Sequence, residues 1–212
     1  MADATVPRIK VCGVTSLRDA QMVADAGADA LGLIFAASVR QVVGPASGDI
    51  VRHLGERLWC VGVFRHQEDH EIVRIVERDG LRAVQLHDPA SEVLLDALAA
   101  REVRVIRALR THDTALNECE RAQIVAVIVD GAQPGSGVAN DWSALASMSF
   151  DVPLIAAGGL DPENVAHVIA EVRPWGVDVA SGVEYVHGVK DPVKVANFVS
   201  RAREALTLKG AQ

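Results

Sequence analysis

Apolar residues gather along this chain into eight short runs: RIKVC (8–12), DALGLIF (29–35), WCVGVF (59–64), AVQLH (83–87), VRVIRA (103–108), IVAVIVD (124–130), VPLIAAG (152–158) and GVDVAS (176–181). Most are apolar nearly throughout, the pattern of strands covered on both faces. Between them the period becomes helical. LRDAQMVADAGAD has apolar residues at 20, 23, 24 and 26, followed by Gly27 as a stop. DHEIVRIVERDG sets Ile72, Val73 and Val76 on one face and closes with Gly80. Ser91 is placed to cap SEVLLDALAA. In DPENVAHVIAEV, Pro162 takes a first-turn position and Glu163 puts an acid at the helix N-terminus. DPVKVANFVSRAREAL makes a longer last helix. The helices after the second, fifth and sixth strands (ASGDIVRHLGERL, DTALNECERA, DWSALASM) are the weakest.

The alternation predicts an α/β protein, a single (β/α)8 barrel over residues 1–212 with residues 1–7 and 209–212 frayed. The length is below the ~250 residues typical of the class. A doubly wound open sheet is the rival, but no G-x-G-x-x-G follows the first run. Polar and glycine-rich residues recur after the strands, at Cys12-Gly13, 38–40, 130–137, Gly158-Gly159 and Ser181-Gly182. A barrel gathers those ends onto one mouth.

Composition narrows the function. Half of the 212 residues are hydrophobic, enough for a sizeable core, and the net charge of −7 disfavours nucleic acid as a partner. A small anion remains compatible, because amides and helix ends bind it locally. MADATVPRIK lacks a signal-peptide core, and no apolar run approaches the length of a membrane span. Cysteines at 12, 60 and 119 form neither a disulfide framework nor a zinc pattern, which fits a reducing, cytoplasmic setting. His53, His66, His70, His112 and His167 fall in helices or outer loops, away from the strand ends, and are not read as a ligand set, so no metal is expected.

The candidate chemistry lies at the strand ends. Cys12 ends the first strand and suits core packing or a catalytic base. Alternation gives Lys10 the same facing, and a buried ammonium needs a partner. Asp178, on the strand adjacent in a closed barrel, is the expected one. Arg40, alone, is a surface arginine; in the second βα loop it is a clamp for carboxylate or phosphate. Asp130 is a solvated turn aspartate or, partly buried at a mouth, an acid. Gly135, Ser136 and Gly137 offer amides to an anion, and Gly158, Gly159, Ser181 and Gly182 describe a phosphate cup. Gln85 and His87 end the fourth strand as ligand contacts or rim hydrogen-bonders.

In order and spacing, KVCGVT, GADALGLIF, SVR, VGVF, VQLHD, VDGAQPGSGVANDW, AAGGLDPENV and GVDVASGVEYVHGVKD resemble the phosphoribosylanthranilate isomerase family of tryptophan biosynthesis. The resemblance spans essentially the whole chain. It implies a (β/α)8 barrel that performs an Amadori rearrangement of a small phosphorylated anionic substrate. It implies Cys12 as general base, Asp130 as general acid and Arg40 as holder of the anthranilate carboxylate. Gly137, Gly158, Gly159, Ser181 and Gly182 then bind phosphate. No cofactor is implied, and weak association with neighbouring pathway enzymes is the protein partnership it suggests. Val39, Asp88, Asn140 and Ala180 depart from the common pattern without removing acid, base or clamp. Alternatives are another phosphosugar isomerase, of the ribulose-phosphate epimerase kind or accepting the histidine-pathway substrate, and a non-catalytic phosphometabolite-binding protein. The first two call for paired acids or a metal site, and the last needs neither Cys12 nor Asp130.

Overall fold

A computed structural model of the chain describes residues 6–111, 116–130 and 142–209. Eight parallel strands close into a barrel in sequence order. They are β1 (Ile9–Cys12), β2 (Ala30–Ile34), β3 (Trp59–Phe64), β4 (Ala83–Leu86), β5 (Arg104–Arg110), β6 (Ile124–Asp130), β7 (Leu154–Ala156) and β8 (Gly176–Val179). Among the described residues eight α-helices cover it: α1 (Leu17–Asp25), α2 (Ala46–Leu54), α3 (Asp69–Asp79), α4 (Glu92–Ala99), α5 (Glu118–Gln123), α6 (Trp142–Ala146), α7 (Val165–Val172) and α8 (Pro192–Lys209). The helix–barrel layer holds most of the core, including Leu31, Leu33, Phe64, Leu95, Leu98 and Phe198. A smaller cluster fills the barrel itself: Ala30, Val61, Ala83, Ile106, Ala126, Ile128, Ile155 and Ala157. Strand alternation explains this division, since each strand sends every second side chain inward.

Local signals account for several helix ends. The Ser91 hydroxyl accepts a hydrogen bond from Leu94 N, as its capping position predicts. Gly80 ends α3 in the left-handed conformation. The helices after β5 and β6 are short, as their patterns suggest: α5 has 6 residues and α6 has 5.

One expectation is corrected. Pro162 and Glu163 precede α7, which begins at Val165. The Asp161 carboxylate accepts from the amides of Glu163 and Asn164, and this local turn competes with helix for the same donors. A 3₁₀ turn at Ser181–Val183 leads into an antiparallel hairpin of β9 (Glu184–Val186) and β10 (Val189–Lys190).

Candidate active site

Lys10 and Asp178 are register partners on β1 and β8, so they stand at one depth inside the barrel. Lys10 Nζ lies 3.0 Å from Asp178 Oδ1, and the lysine side chain is fully enclosed. Burial opposes the ammonium, but Asp178 and the nearby Cys12 outweigh it and raise its pKa. Burial pushes the Asp178 carboxyl up, against the pull of Lys10. The pair forms a polar floor to the mouth.

Cys12 sits one inward step above Lys10 and is buried. A Cβ placed on Gly32, its register partner on β2, would fall 2.6 Å from the Cys12 sulfur. The glycine therefore makes room for the thiol. Burial raises the thiol pKa, while Lys10 and Lys190 draw it down and Asp178 adds to the rise.

Gly13 follows with φ of +77°. That backbone conformation favours glycine by itself, and Arg40 adds to it, because a Cβ there would lie 2.7 Å from Arg40 Cδ. Arg40, read from sequence as a rim residue, is only 7% exposed. Its stem packs over Gly13, and its Nε and Nη2 donate to the two Glu184 carboxylate oxygens at 2.7 and 2.8 Å. Lys190 Nζ donates to Glu184 Oε1 at 3.0 Å and to the Ala180 carbonyl at 2.9 Å. Burial would raise the Glu184 pKa, but Arg40 and Lys190 hold it at about 2.

Neither Glu184 nor Lys190 was picked out by sequence reasoning. A signal was present. In EYVHGVK the pair flanks a His187-Gly188 turn at cross-strand positions, and Gly188 has the positive φ (+84°) such a turn favours.

Asp130 ends β6, opposite Arg110 in register and half-buried. Its inward alternation follows Ala126 and Ile128, both in the inner cluster. Cys12 and Asp130 thus face one mouth, with β7 and β8 between them on one side and β2 to β5 on the other.

Gln85 is buried and pairs with His87 at 3.1 Å, Nε2 to Nε2. Its Oε1 is a buried atom without a hydrogen-bond partner among the described residues. Burial pushes the His87 imidazole down to about 4, with Lys10 and Arg65 adding to the shift, so the ring is neutral near pH 7. Asp88, one of the departures from the family pattern, accepts from His66 N and pins the loop after β3, where His66 has φ of +67°.

Gly158 and Gly159 have φ of +90° and +68° beyond β7. Gly182 lies so close to that loop that a Cβ would overlap the Leu160 carbonyl at 1.9 Å. These glycines let the ends of β7 and β8 meet, forming the two walls of the expected cup. Ser181 begins the 3₁₀ turn between them. Gly135, Ser136, Gly137 and Asn140 lie outside the described residues, as does His112. Among the described residues no cluster of three or more His, Cys, Asp and Glu could hold a metal ion, and no helix is long and apolar enough to cross a membrane.

Comparison with known proteins bears on the family and the fold. Residues 9–201 match the family model described as N-(5'phosphoribosyl)anthranilate (PRA) isomerase. The N-(5'-phosphoribosyl)anthranilate isomerase of Geotalea daltonii is 40% identical over 206 residues, covering 94% of this chain and 98% of the relative. The crystal structure of phosphoribosyl anthranilate isomerase from Thermus thermophilus superposes with a TM-score of 0.79 at 34% identity, over 93% of this chain and 98% of that one. A further solved isomerase, in complex with reduced 1-(o-carboxyphenylamino)-1-deoxyribulose 5-phosphate, gives a TM-score of 0.74 at 32% identity over 94% and 100%.

Proposed function

The chain belongs to the N-(5′-phosphoribosyl)anthranilate isomerase family, and from that premise we propose how its residues divide the work. It is an isomerase of tryptophan biosynthesis. It converts N-(5-phosphoribosyl)anthranilate to 1-(2-carboxyphenylamino)-1-deoxy-D-ribulose 5-phosphate.

The reaction needs an acid and a base on opposed sides of one sugar. An acid protonates the ring oxygen of the ribofuranosylamine, and the ring opens to an iminium. The iminium acidifies the proton on C2′, which a base removes to give an enolamine. Tautomerisation then yields the ketone. Asp130 is the acid and Cys12 the base. The observation that carries this assignment is their placement at the ends of β6 and β1, facing a common mouth. An acid or base so positioned contributes about 10²–10⁴-fold.

Burial makes the Cys12 thiolate a stronger base and a scarcer one at neutral pH, because the thiol pKa is raised. Lys10 and Lys190 favour the thiolate by charge. Proton removal by Cys12 therefore gains with rising pH.

Arg40 meets the anthranilate carboxylate. Glu184 takes two of its five N–H donors, on the Nε side, and the Nη1 side remains for a second carboxylate. Gly158, Gly159, Ser181 and Gly182 receive the phosphate with their backbone, joined by Gly137. Gln85 and His87 face the sugar, where the open Gln85 Oε1 suits a hydroxyl donor. Phosphate binding holds the sugar between acid and base and supplies energy remote from the reacting carbon.

The direct test is to add purified protein to freshly generated phosphoribosylanthranilate and follow its fluorescence. A protein-dependent decay is expected. Near-wild-type decay with Cys12→Ala would remove that residue from the base role.

A further inference from the structure

We propose that Glu184 is a positioning residue for substrate recognition, orienting Arg40 so that the Nη1 side of its guanidinium faces the ring carboxylate. This rests on the reading of Arg40 given above. Glu184 lies in the hairpin after β8, 144 residues from Arg40 in sequence, and is 5% exposed. Its two oxygens engage Nε and Nη2 together, a fork-to-fork contact that fixes the guanidinium plane as well as its place.

The remaining contacts make the orientation firm. The Arg40 stem packs over Gly13, directly after Cys12, and so leaves the arginine little freedom at its base. Lys190, its side chain fully buried, anchors the same carboxylate and reaches the Ala180 carbonyl. Ala180 immediately precedes Ser181 and Gly182, so the carboxylate clamp and the phosphate wall share one scaffold. Lys194 Nζ adds a bond to the Glu184 carbonyl at 2.9 Å. Glu184 thus has its backbone and both its carboxylate oxygens held. A binding group works at full strength when its neighbours lock its geometry before substrate arrives.

The test separates this role from a merely structural one with two ligands. One is the reduced product analogue carrying the 2-carboxyphenylamino group, and the other is the same molecule with a plain phenylamino group. Dissociation constants are measured by calorimetry for wild type, Arg40→Ala, Glu184→Gln and Glu184→Asp. Glu184→Gln is expected to weaken the carboxylated ligand by about tenfold or more, the scale of a charge-assisted contact, and to change the other by less than about twofold. Glu184→Asp is expected to show a smaller loss with the same selectivity, and it decides the matter alone if Glu184→Gln does not fold. Equal weakening of both ligands assigns Glu184 to general structure and overturns the proposal. So does wild-type affinity in the folded Glu184 variants while Arg40→Ala still discriminates. If Arg40→Ala does not discriminate between the ligands, the reading of Arg40 itself fails.

Discussion

Arg107 and Glu120 meet outside the barrel wall, between β5 and α5, whereas Arg40 and Glu184 meet at its mouth. Both pairs are buried. Arg107 Nε donates to Glu120 Oε1 at 2.5 Å, and its Nη1 donates to the carbonyls of Leu86 and Ala108. Glu120 also accepts from the amides of Ala90 and Asn117, the latter as part of a capping box. Each partner there is scaffold, and the pair ties the six-residue α5 to the barrel. Arg40 gives only its Nε side to Glu184 and keeps donors in hand. The same chemistry serves scaffold in one place and the mouth in the other; what separates the pairs is where the fold sets them, against backbone carbonyls or at the strand ends.

Experiments can press on this contrast, the largest effect lying with neither pair. Cys12→Ala and Asp130→Asn should each lower kcat by about 10²–10⁴-fold with product affinity nearly unchanged, as read by steady-state kinetics and product titration. Arg107→Met should leave a buried carboxylate without its charge partner and cost about 3–5 kcal/mol in denaturant unfolding. The kcat/KM of the folded protein should stay near wild type, and a selective activity loss would make the two pairs alike.

Arg40→Ala should invert that pattern. Loss of charged hydrogen bonds worth about 1.5–3 kcal/mol should raise KM by roughly ten- to a hundredfold. Its stability loss should be smaller than for Arg107→Met, because Glu184 keeps Lys190. A stability loss as large as that of Arg107→Met would show that the mouth pair is mainly structural.

A further effect is confined to acid. Glu184 falls from an ordinary 4.5 to about 2 in the fold. A depressed carboxylate pKa stabilises the fold above the unfolded value, and that contribution drains away as pH falls from 4.5 through 2. Glu184→Gln should remove this segment of the stability–pH curve, measured by thermal melts across that range.

Much of the frame was legible in the chain. Continuous apolar runs marked strands covered on both faces, and eight of them with intervening helices led to a closed barrel. Alternation from Cys12 put Lys10 inward, and barrel closure supplied Asp178 as its partner at equal depth. The start of α7 was misplaced because the Asp161 side chain captures amides that a helix would otherwise use. Glu184 and Lys190 escaped notice because charged residues in a short polar-looking segment read as surface.

By itself, then, the sequence determined the order of strands and helices, which side chains alternate inward, and which reactive groups stand at strand ends. Those properties depend on neighbours a few residues apart, and local periodicity records them. The tertiary structure alone decided that Arg40 is buried, that Glu184 takes half of its guanidinium, and that Gly13 and Gly182 stand where another side chain or carbonyl presses close. These contacts join residues far apart in the chain, and no local pattern encodes which distant charge will meet which. For KVCGVT the consequence is specific. The thiol's place came from strand alternation, but the glycine after it answers to a left-handed backbone and to the arginine that lies across it.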